Sequence, residues 1–296
     1  MRGKRWAVLS AACALLLAGC TAAPVPTTAS VRPTADAPSP ATPSPSPTGA
    51  PLTVAALGDS LSRGFDACAG FGDCPEVSWT TGTDPRVDSV ADRLGALRDA
   101  AITRVDAARS GADSSDLARQ VEEVVPRSPD LVTLLMGAND VCRPSVETMT
   151  PTDVYASRID AALDRLSSGA PRATVLVASV PDVTALLPVA AGDETARFLW
   201  SRLNGCATVL KEPRSTSADA EARREAVRTR IAEYDAVLRT ACAAHARCVY
   251  DDGALTAYRP ELSQLSALDY FHPSVRGQAE LAALEWRALR GSGLTP

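Results

Sequence analysis

Two short segments at opposite ends of a 296-residue chain carry side chains suited to nucleophilic chemistry. Gly58-Asp59-Ser60-Leu61-Ser62 puts a serine in a tight turn directly after an apolar run, and Asp269-Tyr270-Phe271-His272-Pro273 puts a carboxylate three residues before an imidazole. A serine hydroxyl is a weak nucleophile at neutral pH, so an imidazole must take its proton as it attacks, and a carboxylate must hold that imidazole in the right tautomer. Attack on an ester carbonyl leaves negative charge on its oxygen, which preorganised N–H donors stabilise. Two further segments offer such donors. In Ala108-Arg109-Ser110-Gly111-Ala112 a glycine lets backbone N–H groups approach a ligand, and Gly137-Ala138-Asn139-Asp140 supplies an amide side chain. Each residue also has a plainer reading: Ser60 as a helix cap and Asn139 as a turn residue. The chain has only two histidines. His245 falls in a helical stretch between two cysteines, which leaves His272 as the base, with Asp251 and Asp252 as alternatives to Asp269 for orienting it.

These residues need a scaffold that collects them at one edge. Leu52 to Leu57 is a short apolar run that suits a buried strand, and similar runs recur at Ile102 to Ala107, Leu131 to Met136, Ala173 to Val180 and Arg247 to Tyr250. Between them lie helical spacings at Ser115 to Val125, Val154 to Leu166, Ala222 to Ala244 and Val275 to Leu289. Alternation of this kind predicts an α/β fold, a parallel sheet with helices on both faces, in which ligands bind beyond the C-terminal strand ends. Ser60, expected at a helix N-terminus, then shares that edge with Gly111 and Asn139.

The four segments, in this order, resemble the SGNH (GDSL) family of serine ester hydrolases across essentially the whole body of the chain. The resemblance implies a three-layer α/β/α sandwich around a flavodoxin-like five-stranded parallel sheet. It implies Ser60 as nucleophile, His272 as general base, Asp269 as its orienting partner, and an oxyanion hole made by the N–H groups of Ser60 and Gly111 and the Asn139 amide. No cofactor and no metal are called for by this chemistry. Ser78-Trp79-Thr80-Thr81-Gly82 and Gly137-Ala138-Asn139-Asp140-Val141-Cys142 are similar to the phospholipase-B-like branch, although Trp79 serves equally as core. Leu186 to Thr216, with Phe198, Leu199 and Trp200, is long for a connection and forms either a wall of the acyl pocket or an extra helix pinned by Cys206. The expected reaction is cleavage of a small-molecule or lipid carboxylic ester through an acyl-enzyme. A carbohydrate O-deacetylase on the same triad is the alternative, and a non-catalytic cell-surface binding module a second one.

The chain begins with Arg2, Lys4 and Arg5 and an apolar run from Trp6 to Leu17, too short for a permanent span, so residues 1–19 read as an export signal. Its end, Leu17-Ala18-Gly19-Cys20, resembles the bacterial lipobox, which implies a lipid on Cys20, a membrane contact through that anchor, and a place on the outer face of the cell envelope, or secretion. Residues 20–51 are Pro, Ser, Thr and Ala with almost no charge, a composition expected to stay a disordered tether. Residues 52–296 make one domain, expected to be monomeric. A net charge of −5, with no dense Lys/Arg face, argues against nucleic acid as a partner. The mixed charges of Lys211 to Arg230 read as a solvated helix face. Of eight cysteines, Cys13 lies in the signal and Cys20 at its end, leaving six, an even number in an exported body. Cys68–Cys74 and Cys242–Cys248 would close short loops and leave Cys142 for Cys206, one of fifteen connectivities open to six cysteines. Cys242, His245 and Cys248 also have metal-like spacing, but three ligands in an oxidising compartment favour the disulfide.

Overall fold

The computed structural model describes residues 47–296 apart from 204; the signal segment, Cys20 and all but the last residues of the tether lie outside them. Five strands run in chain order: β1 (Gly49–Gly58), β2 (Ala100–Asp106), β3 (Leu131–Leu135), β4 (Thr174–Val177) and β5 (Cys248–Tyr250). All pair in parallel in the order β2-β1-β3-β4-β5. The first strand starts at Gly49, within the stretch expected to be tether, because the N–H of Gly49 reaches Asp99 O at 2.7 Å and extends the edge pairing.

Helices fill the crossovers: α1 (Val90–Arg98), α2 (Leu117–Val124), α3 (Ala138–Val141), α4 (Thr152–Gly169), α5 (Leu186–Ala190), α6 (Glu194–Leu203), α7 (Ala207–Leu210), α8 (Ala218–Ala243), α9 (Ala254–Ala257) and α10 (Val275–Gly291). Alternation along the strands sorts them into two layers, since successive side chains point to opposite faces. Ala55, Leu57, Val132, Leu134, Val175 and Val177 face the layer of α2, α4 and α8. Val54, Leu131, Leu135, Leu176 and Val249 face α1 and α10. This is the three-layer arrangement expected, with a buried sheet. Full burial of Trp79 places it in the core of the second layer.

The short spacing between Asp88 and Asp99 hid α1 in the sequence, yet Ser89 and Asp92 form a reciprocal capping box that starts it. The charged stretch inside α8 is not wholly solvated. Arg224 is buried there, and donates to the carbonyls of Glu212 (2.9 Å) and Ser215 (2.7 Å) and to Glu221 (2.6 Å). Such acceptors offset much of the cost of burying a guanidinium. Disulfides join Cys68 to Cys74, Cys142 to Cys206 and Cys242 to Cys248.

Candidate active site

The order of connection along the sheet reverses at β1, which has β2 on one side and β3 on the other, so loops leaving these three strands face a common crevice. Register brings their ends level: Gly58 lies opposite Leu135, and Ala56 opposite Asp106. Ser60, Gly111 and Asn139 follow those ends and line one cavity of about 450 Å³.

Ser60 sits in a run of turns, not at the helix N-terminus expected for it. The Ser60 carbonyl accepts from both Arg63 N–H (3.1 Å) and Phe65 N–H (3.2 Å), and Gly64 turns into the left-handed region at φ +60°, which ends any helical winding. Two buried glutamines hold this turn. Gln120 clamps both backbone groups of Gly58, accepting its N–H at 2.8 Å and donating to its carbonyl at 2.9 Å. Gln278 donates to Leu61 O at 3.0 Å and accepts from Trp79 N–H at 2.9 Å. Neither was legible in the sequence, because a glutamine on a helix face carries no motif.

The last loop delivers His272 to Ser60. His272 Nε2 lies 2.8 Å from Ser60 Oγ, and its Nδ1 lies 2.5 Å from Asp269 Oδ2. The other carboxylate oxygen of Asp269 accepts the N–H groups of Phe271 (2.9 Å) and His272 (3.0 Å), so the loop's own backbone orients the acid. Burial pushes the Asp269 carboxyl up, but hydrogen bonds from the His272 ring and from those two N–H groups outweigh it and leave its pKa below the ordinary value. The imidazole is flanked by Phe65, centroids 4.8 Å apart, and Phe271, at 5.0 Å edge-on. The other two acids are elsewhere: Asp251 takes Ser179 Oγ and the N–H groups of Gly253 and Leu255, and Asp252 pairs with Arg239.

On the opposite side of Ser60, Asp140 ties two loops together by accepting the N–H and hydroxyl of Ser114 at 3.0 and 2.6 Å. Tyr155 Oη donates to Met136 O at 2.8 Å and fixes the turn before α3. Asn139 then donates one amide hydrogen to Ala112 O at 2.8 Å, leaving the second of its two for the cavity. Gly111 has φ +81° with no atom of the described residues within 4 Å of a would-be Cβ, its chain neighbours aside, so its backbone is open to a bound group.

The 186–216 segment forms short helices and reaches the cavity that Ser60 lines. Cys206 pins it to Cys142 beside α3, and Trp200 and Leu210 line the cavity, with Trp200 Nε1 donating to Asp269 O at 3.1 Å. Phe65, Phe71 and Phe271 complete a largely apolar wall. Asp66, like the two glutamines, carried no signal in the sequence. Asp66 is buried with its carboxylate beside the other two: one oxygen of Asp66, one of Asp269 and a ring nitrogen of His272 lie within 4.8 Å of one another. That trio has metal-compatible spacing, but His272 already engages Ser60 and Asp269 through its two nitrogens. Among the described residues the other close group, Cys68, Cys74 and Glu76, has its sulfurs in a disulfide. At Cys242 and Cys248 the sulfurs are likewise joined, and His245 Nε2 stands 3.6 Å from Asp164.

A profile of the GDSL-like Lipase/Acylhydrolase family matches residues 56–280. Among solved structures, the lipase/acylhydrolase from Enterococcus faecalis is 22% identical and covers 81% of this chain and 96% of its own, with a TM-score of 0.51. The lipase Lip_vut3 from a goat rumen metagenome is 15% identical and covers 82% of this chain and 98% of its own, with a TM-score of 0.52. At these identities the structures speak for the fold. Curated protein sequences yield no match.

Proposed function

The chain belongs to the GDSL-like lipase/acylhydrolase family and is a carboxylic ester hydrolase, and from that premise we propose that Ser60 is its nucleophile, His272 its general base and Asp269 the carboxylate that orients the base. The continuous relay from Asp269 through His272 to Ser60, at 2.5 and 2.8 Å, carries this reading. As Ser60 Oγ bonds to the ester carbon, its proton passes to His272 Nε2 and the carbonyl π pair moves to oxygen. That oxyanion takes the N–H groups of Ser60 and Gly111 and the free hydrogen of the Asn139 amide. Collapse breaks the bond to the alcohol oxygen, which receives the proton from His272, and water then attacks the acyl-enzyme by the same route.

The substrate is an acyl ester of a small molecule or lipid. Phe65, Phe71, Trp200, Leu210 and Phe271 favour an aliphatic acyl group over the acetylated sugar of the alternative reading. The Ser78–Gly82 and Gly137–Cys142 segments support a place in the phospholipase-B-like branch, with Trp79 acting there as core. The enzyme works as an exported monomer held to the outer face of the membrane by a lipid on Cys20. Three disulfides suit an oxidising compartment, and a diacylglycerol group supplies the two chains that stable anchoring needs. A series of nitrophenyl esters of increasing chain length, set beside acetylated oligosaccharides, tests the substrate. Turnover highest on acyl esters longer than acetate, and absent from Ser60→Ala, is expected; turnover confined to acetylated sugars would overturn the lipid reading. Cys20→Ser should abolish partitioning into detergent, and unchanged partitioning would contradict the anchor.

A further inference from the structure

Asp66 has no part in the relay just described, yet several features hold it beside that relay. Its backbone lies in the left-handed region at φ 56°, a conformation that costs energy for a side chain with a Cβ and that clusters at functional sites. Three hydrogen bonds maintain it. Asp66 N–H donates to Gly72 O at 2.8 Å, Gly72 N–H donates to Asp66 Oδ1 at 2.7 Å, and Ser266 Oγ donates to Asp66 O at 2.5 Å. The last of these ties the Asp66 loop to the loop that carries Asp269, and the Cys68–Cys74 disulfide closes the chain just beyond. Phe65, the preceding residue, packs its ring on His272.

The result is a second buried carboxylate within 4.8 Å of both Asp269 and His272. We propose that Asp66 is a positioning residue of the active site, a reserve carboxylate that supports the His272 imidazolium and accepts its Nδ1–H when Asp269 is lost. The inference rests on the reading of Ser60, His272 and Asp269 as the catalytic relay. Burial raises the Asp66 carboxyl above its ordinary pKa, against the Gly72 N–H, and the neighbouring Asp269 adds to the rise, as expected for two acids sharing one base. A plain turn residue would bind Gly72 N–H equally well but would have no energetic link to Asp269.

A double-mutant cycle separates these. The variants are Asp66→Asn, which tolerates the left-handed backbone and still accepts from Gly72, Asp269→Ala, which leaves room for Asp66 to reach the ring, and the two combined. Turnover is measured per folded molecule. With Asp66 in reserve, Asp269→Ala lowers kcat by about 10²-fold and the pair lowers it by about 10⁴-fold, the loss a triad shows when its orienting carboxylate is gone. Asp66→Asn alone lowers kcat several-fold with KM unchanged. A downfield imidazole N–H proton resonance persists in Asp269→Ala and vanishes in the pair. If Asp269→Ala does not fold, Asp269→Ser, which leaves the same room beside the ring and keeps an oxygen for the Phe271 and His272 N–H groups, takes its place in the same cycle. Equal kcat for the pair and for the Asp269 variant alone, or loss of the downfield signal already in that variant, overturns the proposal. Ser60→Ala distinguishes the two levels: full activity there refutes the relay itself, whereas an inactive Ser60→Ala with no extra loss from Asp66→Asn refutes only the role of Asp66.

Discussion

Asp59, immediately before Ser60, should make the whole domain less stable as the solution is brought from acid to neutral pH. It is buried, its Oδ1 accepts Leu61 N–H at 2.9 Å, and its Oδ2 has no hydrogen-bond partner among the described residues. Burial pushes its carboxyl from 3.8 up to about 7, although the Leu61 N–H and the charge of His272 pull the other way. Because the folded value lies above the unfolded one, the group's contribution is fully present below about pH 4 and is lost as the pH rises to about 7. Three units at about 1.36 kcal/mol each amount to about 4 kcal/mol. Asp59→Asn stays neutral throughout. Its amide oxygen can still accept from Leu61, while its NH₂ takes the place of the unpartnered oxygen at a pH-independent cost of about 1–3 kcal/mol. Urea unfolding followed by tryptophan fluorescence at pH 4.5, 6 and 8 should therefore give curves that cross, the wild type being more stable at the acid end and the variant at the alkaline end. Wild type and variant with parallel pH dependence would refute the assignment of the slope to Asp59.

Asn139→Ala should lower kcat by about 10²–10³-fold with little change in KM, because the lost donor matters most once the oxygen is charged. A lowered thermal midpoint with near-normal turnover would make Asn139 a turn residue instead. Replacing Cys142 and Cys206 by serine should cost about 4 kcal/mol in urea unfolding and raise KM, since this bridge closes a 64-residue separation and pins the cavity wall. Removing Cys68–Cys74, which spans a separation of 6, should cost only about 2 kcal/mol by the same loop entropy. Glu285 is buried with neither carboxylate oxygen partnered among the described residues, and burial together with Asp251 holds its pKa far above the ordinary value. Its contribution too is present at acid pH and lost as the pH rises, so Glu285→Gln, which carries the same pH-independent cost for a buried NH₂, should have a lower thermal midpoint than wild type at pH 4.5 and gain on wild type by pH 8.

The sheet was legible because each strand is buried on both faces and therefore reads as an unbroken apolar run, as in Leu131–Leu135. Helices with a long apolar face, such as Thr152–Gly169, were legible for the related reason that their periodicity spans several turns. Val90–Arg98 was not, because only Val90, Ala91 and Leu94 are buried among charged neighbours. In the site, Ser60, His272, Asp269, Gly111 and Asn139 stood out because each falls in a short segment with its own turn chemistry. Asp66 and the two clamping glutamines did not. Their roles come from contacts across 62 to 217 residues of chain, such as Gln120 with Gly58 and Gln278 with Leu61, and no local pattern announces a partner that distant. The helix expected after Ser60 failed on local grounds, since the Ser60 carbonyl is taken by two nearby N–H groups in a turn that Gly64 closes.

The central claim is that Ser60 attacks the substrate with His272 as its base, and covalent labelling with a fluorophosphonate tests it most directly. The label should appear, by peptide mass, on Ser60 alone in the wild-type protein. It should be absent from Ser60→Ala and form orders of magnitude more slowly in His272→Ala, although both variants melt as wild type does. Labelling at another serine, or a His272→Ala variant that labels at the wild-type rate, would contradict it.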